Sequence, residues 1–370
     1  MITVSVIVPC YNAEKYIKRC MASLLGQTLE NMEIIVVNDA SEDGTLAILR
    51  QYEEQYEQVK VIDSPVRLKP GGARNLGMDV AKGKYIGFFD TDDWVEGLPA
   101  DDMGVVRIGF PEHYEPVGLK MYEKLYRFAE NNDCEIVGCF HHHIQMEHDK
   151  VDEISIYKEK VMVSPLESKG KKSFYVKIPI MSRTVYGITD AIYRRAFVLD
   201  IGVRFPENCF YENAYFRFFT DAFANRQGIV EECLYCHFRW KESVTCQRND
   251  SRLAEDDLAA RELILTDLLE INLLEGNRDS IEKYFIDWYA GSLLDTIQRF
   301  DEMPIEWMRK ISRFMLTCFP NYANNIFITQ GERLKMIILR LNDIGPETLR
   351  DAAEDDDKIY KLVYGKERNE

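Results

Sequence analysis

The sequence predicts an α/β protein with a mostly parallel sheet flanked by helices, followed by a helical C-terminal region. Three observations carry this. Apolar runs of strand length alternate with helix-spaced segments through the first ninety-five residues, the pattern of βαβ units. The aromatic-rich run Tyr85–Phe89 suits a strand covered on both faces, and it ends in three carboxylates, Asp90, Asp92 and Asp93. From about Leu253 onward, apolar residues recur three or four apart.

The elements follow in order. Thr3–Pro9 reads as a first strand ended by proline, and Asn12 as the cap of a helix from about Ala13 to Leu25. Glu33–Asn38 is a second strand, followed by the turn-rich Asp39–Gly44 and a helix to about Tyr56. Val59–Asp63 is a short third strand. A loop carrying Arg67, Lys69, Pro70, Gly71 and Gly72 then leads to a helix over Ala73–Ala81 and the strand Tyr85–Phe89. The segment 96–116 holds three prolines and three glycines and reads as an insertion, either a lid near the acidic turn or a surface decoration. Beyond it come a helix at Leu119–Asn131, a strand at Glu135–Phe140, a variable middle with a basic loop at 169–172, and Phe210–Phe223, helical after its first residues. The tail predicts helices at Leu258–Leu274, Ser280–Phe300, Ile305–Cys318 and Leu334–Leu341, with an acidic solvated run at Glu354–Asp357. The domain division expected is 1–250 and 251–370, the first containing halves 1–95 and 117–250.

Ligands in such sheets bind outside the carboxyl ends of the strands, where Pro9–Tyr11, Asp39 and Asp90–Asp93 all fall. Crowded carboxylates repel unless a cation sits among them, and Mg²⁺ or Mn²⁺ typically takes one or two carboxylates plus phosphate oxygens. A bare D-x-D-D also reads as an acidic turn capping a helix at Trp94.

Composition removes several classes. A net charge of −16 over 370 residues argues against a general nucleic-acid binder. No apolar run reaches bilayer length and Met1 opens no signal peptide, so the expected location is cytoplasmic, with peripheral contact at the inner membrane face open. Nine irregularly spaced cysteines fit reduced thiols. Cys233, Cys236 and His237 spell the C-x-x-C-H haem-attachment pattern, but within a strand-like segment and without an export signal, so haem is not expected. His141, His142, His143 and His148 invite a metal reading; strand alternation would turn His142 away from its neighbours, and a solvated strand end is the preferred account.

Three stretches taken together, V-S-V-I-V-P-C-Y-N-A-E-K-Y-I, E-I-I-V-V-N-D-A-S-E-D-G-T and G-G-A-R-N-L-G-M-D-V-A-K-G-K-Y-I-G-F-F-D-T-D-D-W, resemble family 2 glycosyltransferases. These are inverting, nucleotide-sugar-dependent enzymes with the Rossmann-like GT-A fold. The likeness continues loosely through Val203–Thr245. It implies that Pro9 and Tyr11 line a base pocket, Asp39 hydrogen-bonds a uracil-like base, and Arg74 lies beside the nucleotide. It further implies that Asp92 meets the ribose and that Asp93, supported by Asp90, holds Mn²⁺ or Mg²⁺ on the diphosphate. His237, Arg239 and Trp240, in a Y-x-F-x-R-like segment, would close over diphosphate and sugar, though for His237 strand packing is the preferred reading.

The chain departs from type at the general base. In R-F-P-E-N-C-F-Y-E-N-A-Y-F-R-F, Asn213 stands where the family has its catalytic Asp, with Glu212 before it. An amide cannot accept the proton. Three accounts remain open: Glu212 as base, another carboxylate such as Asp190 or Glu207, or impaired transfer leaving a nucleotide-sugar binding subunit. The expected partners are a nucleotide-sugar donor, most simply a UDP-sugar, and a glycan or lipid-linked acceptor of surface polysaccharide synthesis. The C-terminal helices could form a packed bundle, a dimer interface or a membrane contact. A dinucleotide-dependent oxidoreductase is disfavoured because P-C-Y-N-A-E lacks phosphate-cradling glycines.

Overall fold

In the computed structural model, residues 1–97, 119–147, 150–156, 187–207, 209–239, 251–275, 277–300 and 304–328 are described. The insertion call beyond residue 97, the basic loop 169–172, His148, Trp240, the helix at 334–341 and the run 354–357 lie outside them, as do the side chains of His143 and Arg239. The described residues form two compact units, one up to Arg239 and one from Ser251 onward.

The first unit begins with the alternation read from the sequence: β1 (Val4–Cys10), α1 (Ile17–Leu25), β2 (Glu33–Asp39), α2 (Thr45–Gln55), β3 (Val59–Ser64), α3 (Lys69–Val80) and β4 (Tyr85–Phe88). The chain continues through β5 (Trp94–Val95), α4 (Met121–Asn132), β6 (Ile136–Glu147), β7 (Lys150–Ile156), β8 (Ala191–Arg194), α5 (Arg195–Ile201), α6 (Glu212–Phe223) and β9 (Gln227–Arg239). The strands form one sheet in the order β3-β2-β1-β4-β8-β6-β9-β5, with β7 also on β6. It is mixed. The β1–β2, β1–β4, β2–β3 and β6–β9 pairs are parallel, while β8 runs antiparallel to both β4 and β6.

This topology sets the site. The first four strands end on one edge; β8 starts there, and β6 and β9 run towards it with long second halves. Asp39, Asp90–Asp93, Asp190, His141 and His237 thereby collect along a single rim. The strands under the rim are buried runs, Val4–Val8 and Ile34–Val37 among them, as apolar strands covered on both faces should be. Helix α3 lies tight on β1: a Cβ on Gly77 would meet Ile7 Cγ2 at 2.3 Å.

Some local expectations fail. Asn12 does not cap α1, which starts at Ile17 without a side-chain cap. Asn12 instead adopts φ 47°, and its Oδ1 accepts the Glu42 N–H at 2.8 Å, tying the first loop to the second. Helix α3 begins four residues before the expected Ala73, with Pro70 in its first turn, a position where a missing N–H costs nothing. Strand β7 and helix α5 were not anticipated.

In the second unit, α7 (Ser251–Glu270), α8 (Arg278–Arg299) and α9 (Ile305–Cys318) confirm the helical tail. Phe285 packs against Phe314 and Phe319, and Trp288 Nε1 donates to Asp257 Oδ2 at 2.7 Å. No described helix is long and apolar enough to cross a membrane.

Candidate active site

Tyr11 follows β1 and Asp39 ends β2, and the two are joined by Arg67, which the sequence reading placed only in a loop. The Arg67 guanidinium carbon lies 3.1 Å from the centre of the Tyr11 ring, and its Nε is 3.9 Å from Asp39 Oδ2. Asp39 Oδ1 accepts the Leu68 N–H at 2.6 Å. Burial raises the Asp39 carboxyl above its ordinary range, opposed by the Leu68 amide and Arg67. Pro9 lies on β1 opposite Val37.

The acidic turn folds back on itself: Asp93 N–H donates to the Asp90 carbonyl at 3.2 Å. This points the three carboxylates differently. Asp90 is a third exposed and Asp92 half-buried, whereas Asp93 is fully buried. Asp93 Oδ1 accepts the Phe238 N–H at 2.7 Å, while its Oδ2 takes the Tyr235 hydroxyl and lies 3.3 Å from His237 Nδ1. Below the turn, the fully buried Arg19 donates to the Asp92 carbonyl and lies 4.2 Å from the centre of the Trp94 ring. Burial lowers the Arg19 pKa, and the Asp93 and Asp92 charges resist that. Burial, with Asp93 and Asp90 nearby, raises the Asp92 carboxyl. His237 is lowered by burial but raised further by Asp93, so its net shift is upward.

Arg74, on α3, is buried and bridges Asp90, at 2.8 Å from Nη2, and Glu212, bound at Nη1. Burial alone would lower its pKa; the two carboxylates outweigh that and raise it. Glu212, the first residue of α6, is thus buried and held by a cation, while Asn213 is exposed. The segment before α6 is pinned by Asn75, whose side chain exchanges hydrogen bonds of 2.9 and 3.0 Å with the Phe205 backbone. Glu207 is exposed and accepts from Asn75 at 3.3 Å. Gly71 allows this closeness, since a Cβ there would lie 2.2 Å from the Pro206 carbonyl oxygen.

His141 and His142, the described side chains of the histidine run on β6, are mostly buried and do not form a solvated strand end. Alternation does separate the rings as expected. His142 Nε2 lies 3.4 Å from Glu96, while His141 Nδ1 is 2.6 Å from Asp190 Oδ2. Asp190 is 1% exposed, and its Oδ1 has no hydrogen-bond partner among the described residues. The His141 and His237 ring centres are 6.3 Å apart. Seen in sequence, H-H-H gave no hint of a carboxylate 49 residues away.

Four non-glycine residues with positive φ flank these groups: Asn12 (47°) after Tyr11, Ala40 (56°) after Asp39, Lys69 (60°) after Arg67-Leu68, and Tyr211 (63°) before Glu212. Left-handed backbone costs a non-glycine residue about 1 kcal/mol or more, so its concentration here marks a rim whose geometry is imposed by the surrounding fold. Among the described residues, no group of three or more His, Cys, Asp or Glu is arranged to hold a metal ion.

Residues 5–97 match the family model of glycosyl transferase family 2. The chain is 29% identical over 295 residues to the putative glycosyltransferase EpsH of Bacillus subtilis, covering 76% of this chain and 74% of that protein. It is 45% identical over 95 residues to a poly(ribitol-phosphate) beta-glucosyltransferase of Bacillus spizizenii, a match to 25% of this chain and only 15% of that protein. The fold resembles the crystal structure of S. aureus TarS with a TM-score of 0.56 at 18% identity, covering 98% of this chain and 55% of that one. Residues 5–97 thus carry the likeness to glycosyl transferase family 2, and the fold is of the GT-A type.

Proposed function

We propose that the protein is an inverting glycosyltransferase. It moves a sugar from a nucleoside diphosphate-sugar, with UDP as the preferred nucleotide, to a glycan or lipid-linked glycan acceptor of a surface polymer. One observation carries this reading: a flat aromatic with an N–H-accepting carboxylate, Tyr11 and Asp39, shares a strand-end rim with the partly buried carboxylates Asp90 and Asp92. The base stacks on Tyr11 and presents an N–H edge to Asp39. The polymeric acceptor is supported by the relative named for poly(ribitol-phosphate).

The donor set fits a divalent cation. Asp90, a third exposed with one oxygen on Arg74, and the half-buried Asp92 supply the one-or-two-carboxylate complement that Mg²⁺ or Mn²⁺ uses beside phosphate oxygens. Asp93, to which the resemblance gave the metal, already spends its oxygens on Phe238, Tyr235 and His237; we assign it to anchoring the turn and Asp92 to the metal. When bound, the ion neutralises charge on the departing diphosphate. The protein's own residues position the rest: Arg74 fixes Asp90, and Arg19 holds the Asp92 carbonyl. Attack from the face opposite the diphosphate inverts the anomeric carbon.

Calorimetry with UDP, with and without Mn²⁺, tests the reading. UDP should bind, Mn²⁺ should tighten it, and Asp92→Asn should abolish the metal's share. Absence of UDP binding would refute it.

A second reading, a nucleotide-sugar binding subunit with impaired transfer, is favoured by the exposed Asn213 and by Glu212 being held by Arg74. If the wild type turns over no donor and Asn213→Asp creates turnover, the second reading wins.

A further inference from the structure

We infer that Arg19 is a positioning residue for the cation site: its grip on the peptide between Asp92 and Asp93 keeps the Asp92 carboxylate apart from the enclosed carboxylate of Asp93. The inference rests on the transferase reading above. It deepens that reading by naming what sets the cation affinity of the acidic turn.

A buried guanidinium needs a reason. Arg19, on α1, is fully buried, its guanidinium carbon 4.2 Å from the centre of the Trp94 ring and 4.9 Å from that of Phe238. Nη2 donates to the Asp92 carbonyl, whereas Nε and Nη1 have no hydrogen-bond partner among the described residues. Withdrawing a charge from water is costly, and a methionine would fill the space between the two rings without that cost. What the arginine adds at this place is a charged donor to one carbonyl.

That carbonyl belongs to the peptide that shapes the turn. The peptide is planar and trans, so its carbonyl and its N–H point opposite ways. Arg19 holds the carbonyl, and the N–H of the same peptide, that of Asp93, donates to the Asp90 carbonyl at 3.2 Å. The plane is pinned at both ends, and the side chains on either side of it part. Asp93 is enclosed and bound to the Phe238 N–H, while Asp92 is half-buried and Asp90 a third exposed. Helix α1 takes a second hold one turn on. Ser23, four residues after Arg19 and so on the same face, accepts the Val95 N–H on its Oγ at 3.2 Å. The clamp spans Asp92–Val95 and consists of the chain's own groups, which gives it the part of an outer shell that orients metal ligands.

The test is calorimetry of UDP binding by the whole chain across a Mn²⁺ titration, with melting temperatures measured alongside. Arg19→Met keeps the packing between the rings and loses the donor. The Mn²⁺ concentration that half-maximally tightens UDP should then rise about 10- to 100-fold, the usual effect of losing an outer-shell group, with metal-free UDP affinity unchanged. Arg19→Lys, which can still donate to the carbonyl, should recover part of the response. Ser23→Ala should raise the same concentration about two- to tenfold, the reach of one neutral hydrogen bond. An unchanged Mn²⁺ response in Arg19→Met, or in Ser23→Ala where Arg19→Met does not fold, would overturn the inference and leave the transferase reading standing. An equal loss of UDP affinity with and without Mn²⁺ would overturn it too, by making Arg19 a packing residue. A wild type that binds UDP without responding to Mn²⁺ would remove the inference and the metal together. Failure of the wild type to bind UDP would remove the transferase reading as well.

Discussion

Replacing Asp93 with asparagine separates an anchor from a metal ligand. The Asp93 carboxylate is fully buried and takes the Phe238 N–H, the Tyr235 hydroxyl and His237, while Arg19 lies buried beneath the same turn. Asparagine keeps one carbonyl acceptor for Phe238 but turns an amide towards Tyr235 and His237. It also removes the charge that Arg19 feels. Hydrogen bonds to charged groups contribute roughly 1.5–3 kcal/mol each, and breaking one side of a buried charge arrangement costs roughly 3–5 kcal/mol. The expected loss is about 3 kcal/mol, an order-of-magnitude value within those ranges. In a unit of this size each kcal/mol moves the melting temperature by roughly 2–4 °C, so Tm should fall by about 6–12 °C. Scanning fluorimetry without ligand measures this, and repeating it with UDP and Mn²⁺ should show the metal increment retained. Asp92→Asn should behave in reverse, with Tm little changed and the metal increment gone. An Asp93→Asn protein with wild-type Tm and no response to Mn²⁺ would refute the anchor assignment.

Three further outcomes follow from other contacts. Arg67→Ala should bare the Tyr11 face that a base must reach; a cation–π contact contributes roughly 0.5–1 kcal/mol, so UDP should bind about two- to fivefold tighter by calorimetry. Weaker binding would make Arg67 part of the nucleotide site. Gly71→Ala places a Cβ 2.2 Å from the Pro206 carbonyl oxygen, and urea unfolding should show a loss of about 1–3 kcal/mol as the segment leading to Glu212 moves away. Asp221, buried on α6, has its carboxyl raised from 3.8 to about 6 by burial, despite Arg217. A raised acid favours the protonated fold, so its stability contribution is full below pH 3.8 and lost as pH rises through about 6. The difference, about 2 units at 1.36 kcal/mol each, is roughly 3 kcal/mol. Asp221→Asn should therefore gain on the wild type by that amount between pH 4 and pH 7, measured by urea unfolding at each pH.

The first ninety residues announce themselves because buried parallel strands leave a coarse record. Ile34–Val37 can be little else, and the turns that follow carry the polar groups. Position at the rim was therefore legible for Tyr11, Asp39 and Asp90, whereas that of Arg74, on α3, came from the family resemblance alone. Orientation was not. Nothing in D-T-D-D says that the turn's own hydrogen bond rotates Asp93 inward, because its partners are over 140 residues away. Arg67 looked like a loop charge, since stacking on Tyr11 depends on two loops meeting. Nothing in the spacing of α1 marks Arg19 as buried, yet it is. His141 was misread because burial along β6 depends on β8 and β9 lying to either side. Strand β7 escaped because K-V-D-E-I-S-I is too polar for a buried strand and suits an edge position on β6.

The bonds between β9 and Asp93 also fix an order of events during synthesis. At roughly 5–20 residues per second, the ribosome adds the 145 residues from Asp93 to Phe238 in about 7–30 s. Throughout that interval the nascent domain has its strands β1–β4 but no cover for the carboxylate it must finally enclose. Any chaperone that attends this chain should find its longest-lived client surface there, and translation stalled before residue 235 should leave a product with the sheet's first half but no closed rim.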